Sequence, residues 1–145
     1  AYNYGAQNRN ELQSLFKKSI AIMFVSGILL TLLAQIICSG VVSSFVGDNE
    51  VLYNFTVRAY RIYMLSFILC GINMFVSALF TALNNGIISA IAAFTRTLIF
   101  EMGAVLILPE ILGIDGIWLS VNIAEILAAA VSVGLLFSFR KRYWA

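Results

Sequence analysis

The stretch Leu108-Pro109-Glu110-Ile111-Leu112-Gly113-Ile114-Asp115-Gly116-Ile117-Trp118 decides the fold, because a long apolar run lies on each side of it, from Ile87 before and to Phe139 after. Each run is about 22 residues long, roughly 33 Å as a helix, which is enough to cross the ~30 Å hydrocarbon core of a bilayer. The stretch therefore reads as the turn of a membrane hairpin. Three ionisable residues lie inside it: Arg96 and Glu101 on the first run, Glu125 on the second. A charge at mid-membrane costs about 2.5 to 3.5 kcal/mol on insertion scales, so each of the three is a candidate functional residue.

The rest of the composition agrees with a membrane setting. Of 145 residues, 61% are hydrophobic and 11% charged, against about 25% charged in an ordinary soluble domain. There is no histidine, which excludes histidine metal sites and histidine general bases, so any proton chemistry falls to carboxylates. Cys38 and Cys70 each fall inside an apolar run without paired spacing and read as small packing residues. No phosphate loop, cysteine motif or nucleophile and base pair is present, so the sequence is not read as an enzyme. Net charge is +2, and the clustering of the basic residues bears on membrane orientation rather than nucleic acid. Ala1 is not an initiator Met, and the first residues read as the continuation of an earlier segment rather than as a signal peptide.

Four spans are predicted, at about 20–46, 62–83, 87–108 and 117–139, with 1–18 a cytoplasmic loop and interfacial helix and 140–145 a cytoplasmic tail. Leu12, Leu15, Phe16 and Ser19 repeat at helical spacing, which suits either a short amphipathic interfacial helix or a solvated lead-in to the first span. In that span Thr31, Gln35 and Ser39 lie near one stripe and are expected to face protein or a water-filled cavity. Gln35 is a candidate for interhelical hydrogen bonding or ligand contact. Asp48 or Asn49 is placed to cap the next helix, and Arg58 and Arg61 fall at head-group level, where they would snorkel or bind phosphate. Asn73 lies near the middle of the second span and must bond a facing helix or line a cavity. Asn84-Asn85-Gly86 reads as a tight turn with Gly86 at positive φ. Pro109 and Gly113 are expected to end the third span, and Ala124, Ala128, Ala130 and Gly134 offer close packing on the fourth.

With four spans both termini share a side. That side carries Arg9, Lys17, Lys18, Arg140, Lys141 and Arg142, whereas the other has Arg58 and Arg61 beside Asp48, Glu50, Glu110 and Asp115, so both termini are expected in the cytoplasm. Glu101 is as far along its span from Ile87 as Glu125 is from Phe139, which puts the two carboxylates at one level, roughly 21 Å from the cytoplasmic end. Arg96 lies five residues from Glu101, so in an α-helix the two point about 140° apart. The arrangement expected is an Arg96–Glu125 interhelical pair with Glu101 facing a cavity and titrating; the alternative is one structural cluster of all three.

Several pieces carry a family resemblance: Tyr2-Asn3-Tyr4-Gly5-Ala6, Ala78-Leu79-Phe80-Thr81-Ala82-Leu83-Asn84-Asn85-Gly86, Arg96-Thr97-Leu98, and Leu112-Gly113-Ile114-Asp115-Gly116-Ile117-Trp118-Leu119-Ser120 with Ile123-Ala124-Glu125. In this order and spacing the chain resembles the C-terminal part of a prokaryotic multidrug and toxic compound extrusion (MATE) transporter. The resemblance implies an all-α membrane protein whose four transmembrane helices are the last part of the C-terminal six-helix bundle of a twelve-helix fold. It implies export of organic cations or amphiphilic drugs by Na+ or H+ antiport, with no cofactor beyond the coupling ion. It implies the cell inner (plasma) membrane as location, and as partners membrane lipid, the N-terminal bundle and the first two helices of the C-terminal bundle. Substrate in such repeats lies between the bundles near mid-membrane.

One departure stands out. Some family members place a coupling acid on the helix corresponding to 62–83, where this sequence offers Asn73. Coupling is then left to Glu101 or Glu125, a reading of this sequence rather than of the family pattern, or to acids elsewhere in the whole protein. Two other readings compete: a lipid-linked precursor flippase of the same superfamily, which calls for a more cationic cavity than Arg96 alone provides, and a free-standing structural four-helix membrane protein in which the charges hold the bundle together.

Overall fold

The computed structural model describes residues 2–139. The basic and aromatic cluster Arg140-Lys141-Arg142-Tyr143-Trp144, on which part of the orientation reading rests, lies outside the described residues. The chain is helical throughout: α1 Tyr2–Gly5, α2 Arg9–Val46, α3 Glu50–Met64, α4 Phe67–Ala82, α5 Gly86–Phe94, a π-helical segment Thr95–Glu101, α6 Met102–Leu112 and α7 Ile114–Ser138. Among the described residues, four helical stretches are long and apolar enough to cross a membrane: Arg9–Val46, Glu50–Ala82, Gly86–Leu112 and Ile114–Ser138.

Three boundaries differ from the sequence reading, each for a local reason. Tyr2–Gly5 is a short helix where a loop was expected, and α2 runs unbroken through the amphipathic stretch into the first span. Leu12 is buried with Val76, Leu79, Phe80 and Leu83, and Phe16 packs on the same cluster. Leu12 and Phe16 of the lead-in therefore cover protein, whereas Leu15 on the same stripe is exposed. Pro109 does not end the third span: the helix continues to Leu112, and Gly113 stops it at φ 64°, a left-handed conformation that favours glycine. Pro109 has no amide to give the carbonyl four residues back, so the helix passes it with one backbone bond fewer. At the other turn the residue at positive φ is Asn84 (φ 58°), not Gly86, which already starts α5; asparagine is among the residues that tolerate this region.

The interface between α2 and the second span is built on small residues. Gly27, Thr31, Ala34, Cys38 and Val42 are buried at helical spacing, so the backbones meet closely. A Cβ at Gly27 would lie 2.8 Å from the Phe67 carbonyl oxygen. Ser39, expected on this stripe, is exposed. The second span breaks at Leu65 and Ser66, whose amides turn to carbonyls three residues back, Ile62 and Tyr63. That shift frees the Arg61 and Met64 carbonyls, and neighbouring helices supply the donors. Gln35 Nε2 donates to the Arg61 carbonyl (2.9 Å), Thr31 Oγ1 to that of Met64 (3.4 Å), and Asn122 Nδ2 to that of Ile62 (2.8 Å). An unpaired carbonyl in hydrocarbon is costly, which explains why polar side chains stand opposite the break.

Gln35→Leu is accordingly expected to cost about 0.6 kcal/mol and at most about 1.7, the range for interhelical hydrogen bonds in membranes. The thermal unfolding midpoint of the purified protein measures it. Leucine that leaves the midpoint unchanged would mean that water or lipid already serves the Arg61 carbonyl.

The remaining contacts close the bundle. α4 packs on α2, α5 and α7, and the α6–α7 hairpin returns α7 against the π segment and α3. Asn49 caps α3 by accepting from the Leu52 amide at 3.0 Å. Arg58, expected to snorkel or bind phosphate, instead pairs with Asp115 at the start of α7 (2.5 Å), an exposed contact of the kind that contributes little to stability. Of the small residues on α7, Ala124 and Ala128 are buried, whereas Ala130 and Gly134 face outward. Only the first two support close packing among the described residues.

Candidate functional site

The ionisable residues meet where α4, the π segment and α7 pack together. Arg96 comes from the π segment, where backbone bonds skip one residue further than in an α-helix. Arg96 and Glu101 still front different walls of this segment, as their spacing led one to expect: Arg96 lies with Thr95 and Phe100, Glu101 with Thr97 and Met102. Arg96 Nε and Nη2 donate to Glu125 Oε1 at 3.0 and 2.5 Å, and Nη2 also reaches the Cys70 thiol at 3.3 Å. Both arginine donors converge on one carboxylate oxygen, charge-assisted hydrogen bonds that leave Oε2 to another partner.

Asn73 completes the arrangement from α4. Its Nδ2 donates to Glu125 Oε2 (2.7 Å) and to the Glu125 carbonyl (3.0 Å), and its Oδ1 accepts from Ser132 Oγ (3.2 Å). Glu125 is 4% exposed and Asn73 is 3% exposed. The carboxylate thus has donors on both oxygens and a formal countercharge, which is what a buried charge needs to be tolerated. Asn73 does both things weighed for it: it bonds a facing helix and it lines a cavity.

That cavity, of about 270 Å³, lies between α4, α5 with the π segment, and α7. Asn73, Ser77, Thr95, Arg96 and Ser132 give it polar wall, and Met74, Phe100, Val131 and several alanines give it apolar wall. Ser77 carries the polar surface further: it bonds the Ser89 carbonyl and hydroxyl at 3.1 Å each, and Ser89 Oγ lies 2.7 Å from Thr81 Oγ1. These hydroxyls join α4 to α5 below the cavity.

The other candidates stand elsewhere. Glu125 is behind the cavity wall rather than on it. Glu101 was expected to face a cavity; it lies in a shallow outer depression with Thr97, Met102, Val105 and Leu106, half-buried and without a hydrogen bond to any described residue. Gln35 is committed to the Arg61 carbonyl, away from the cavity. Two of the three charges therefore cluster, and the third does not.

Sequence reasoning did not single out Ser132, Asn122 or Ser77 as contacts of these groups. Ser132 could have been found, since it follows Glu125 by two helical turns and so shares its face. The Cys70 contact had no such signal, because it depends on how α4 packs against the π segment.

A family described as MatE matches residues 1–106. The chain is similar in fold to a solved structure titled the inward-facing conformation of a multidrug resistance MATE family transporter of the MOP superfamily. The TM-score is 0.83 at 22% identity, over 97% of this chain and 34% of that one. The chain thus spans about a third of the solved transporter it matches. A search of curated proteins finds no match.

Proposed function

The chain belongs to the MatE family, and on that premise we propose that it forms part of a secondary active exporter of organic cations or amphiphilic drugs, driven by inward movement of Na+ or H+. The observation that carries the reading is the Arg96–Glu125–Asn73 network beside a partly polar cavity, in helices otherwise built for lipid. Intramembrane ionisable groups facing a bundle interior mark substrate or ion pathways by default. The setting proposed is the cell inner membrane with both ends of the chain cytoplasmic, a reading supported within the described residues by Arg9, Lys17 and Lys18 at one end of the bundle.

Roles divide by hydrogen bonding. Glu125 is saturated by Arg96 and Asn73, so it holds α4, the third span and α7 in register and is not free to exchange a cation without breaking that hold. Glu101, with no hydrogen bond to a described residue, is the carboxylate free to take up H+ or Na+. Its depression is open on the side away from the network, where the rest of the transporter or lipid would cover it.

The experiment uses the whole transporter in proteoliposomes with an imposed ion gradient. Efflux of an amphiphilic cation that follows the gradient supports the exporter reading; efflux indifferent to every imposed Na+ or H+ gradient removes it. Glu101→Gln is expected to flatten the pH dependence of efflux while the protein still assembles in the membrane. A wild-type pH profile in that variant would take Glu101 out of the coupling step.

A further inference from the structure

The charge that the cavity presents differs from the charge of the network behind it. Arg96 and Glu125 are together neutral, but Arg96 lines the cavity and Glu125 does not. Both Glu125 oxygens are engaged on the far side of the wall, by Arg96 and Asn73. The guanidinium is not fully used: Nε and Nη2 are bonded, while Nη1 has no hydrogen-bond partner among the described residues. Among the described residues that line the cavity, Arg96 is the one that carries a formal charge. A ligand entering here meets a cation flanked by the hydroxyls of Ser77, Thr95 and Ser132 and faced by Phe100 and Met74.

We propose that this cavity is a subsite for the carboxylate end of an aromatic amphiphile, with Arg96 as the residue that selects for the anion. The inference rests on the exporter reading for its setting and narrows the substrate class within it, from amphiphiles in general to those that include a zwitterionic, carboxylate-bearing form. Three features of the wall fit that occupant. Guanidinium and carboxylate are complementary in shape and charge, and an N–H left free in a partly desolvated place is satisfied by an acceptor from the ligand. The Thr95 hydroxyl, which makes no hydrogen bond to another described residue, can donate to the second carboxylate oxygen, whereas Ser77 and Ser132 already give their protons to the Ser89 carbonyl and to Asn73 Oδ1. Phe100 and Met74 supply soft, apolar surface for the ring that bears the group.

Size sets how much of the ligand enters. At about 270 Å³ the cavity falls just below the ~300 Å³ lower bound of sites that enclose whole drug-sized molecules. It takes one substituted ring, while the remainder of the substrate extends toward the open side.

The test uses two fluorescent probes that differ in one group: rhodamine 110, whose benzoate is free, and rhodamine 123, its methyl ester. Binding to the purified whole transporter is read by fluorescence anisotropy, and efflux by the same probes in proteoliposomes. Replacing Arg96 alone would strand Glu125, so the variant is Arg96→Gln with Glu125→Gln, which removes both charges and keeps amide hydrogen bonding. The readout is the ratio of acid to ester affinity within each protein. It is expected to fall at least tenfold in the double variant and to be largely retained in Arg96→Lys, which keeps the cation and loses the fork.

Equal losses of acid and ester binding would overturn the proposal, since Arg96 would then serve the fold rather than the carboxylate. An unchanged ratio would overturn it as well. Arg96-dependent binding of rhodamine 110 in a transporter that moves neither probe along an ion gradient would support the subsite while removing the exporter reading.

Discussion

Arg96→Ala, with Glu125 left in place, is expected to destabilise the protein by about 3 to 5 kcal/mol, the cost of leaving one member of a buried ion pair without its partner. Glu125 is 4% exposed, and its Oε1 accepts from Arg96 alone. Once the guanidinium is gone, the carboxylate must pick up a proton or draw water between α4 and α7. The counterpart is Arg96→Met with Glu125→Leu, which removes both charges at similar volume and is expected to recover most of the loss, because the desolvation of two ions disappears with their attraction. Asn73 limits that recovery. Its Nδ2 keeps the Glu125 backbone carbonyl but loses Oε2, so a remainder of about 1 kcal/mol is expected. Thermal unfolding of the detergent-solubilised whole transporter measures all three proteins. If the single variant proves as stable as the double, water already screens the pair and the network does not hold the helices in register.

The second large effect is expected at Gly116, three residues after the turn at Gly113. A Cβ there would lie 2.4 Å from the Leu108 carbonyl oxygen and 2.6 Å from its carbon, backbone atoms that cannot move without opening the α6–α7 hairpin. Gly116→Ala should therefore cost at least the ~1 to 3 kcal/mol typical of overpacking, and Gly116→Val more. Gly134→Ala serves as the control on the same helix. Nothing lies within 4 Å of the added Cβ, and alanine is the better helix former by roughly 0.5 to 1 kcal/mol, so that variant should be neutral or slightly stabilised. Both effects read out as shifts of the unfolding midpoint. Comparable behaviour of the two alanine variants would mean that the hairpin opens freely at Leu108, in which case it does not position Glu125 opposite Arg96.

Gly113 and Gly116 show how closely local chemistry and tertiary packing divide the work. A turn between two apolar runs was legible because proline, glycine and acidic residues interrupt the hydrophobic pattern there. That the helix passes through Pro109 and that the turn shrinks to Gly113 was not legible. It follows from α7 packing directly against the Leu108 carbonyl, which only a residue without Cβ permits. Gln35, Thr31 and Asn122 make the same point. Each could be recognised as a polar group needing a partner in lipid, but the partners are carbonyls at a helix break at Leu65 and Ser66 that no proline or glycine announces: those of Arg61 and Met64, which the break frees, and that of Ile62, which also accepts from the Leu65 amide.

The ionic site divides in the same way. Arg96, Glu101, Glu125 and Asn73 stand out from composition alone, since charge and amide are expensive in hydrocarbon wherever the chain places them. Helical rise allows an estimate of their depth, because rise along the axis depends little on what a helix packs against. Direction around the axis did not follow from sequence. It depends on what each helix packs against, which sets Arg96 beside the α4–α7 cavity and Glu101 on the outer side of the same segment. The sequence by itself determined that this is a membrane bundle of apolar helices, and which residues would be costly inside it, because transfer from water to lipid is a property of each side chain. Which of those residues meet, that Glu125 is saturated while Glu101 makes no hydrogen bond to a described residue, and that Arg96 fronts a cavity were decided by the tertiary structure, because pairing depends on helix phase and close approach, which individual residues do not encode.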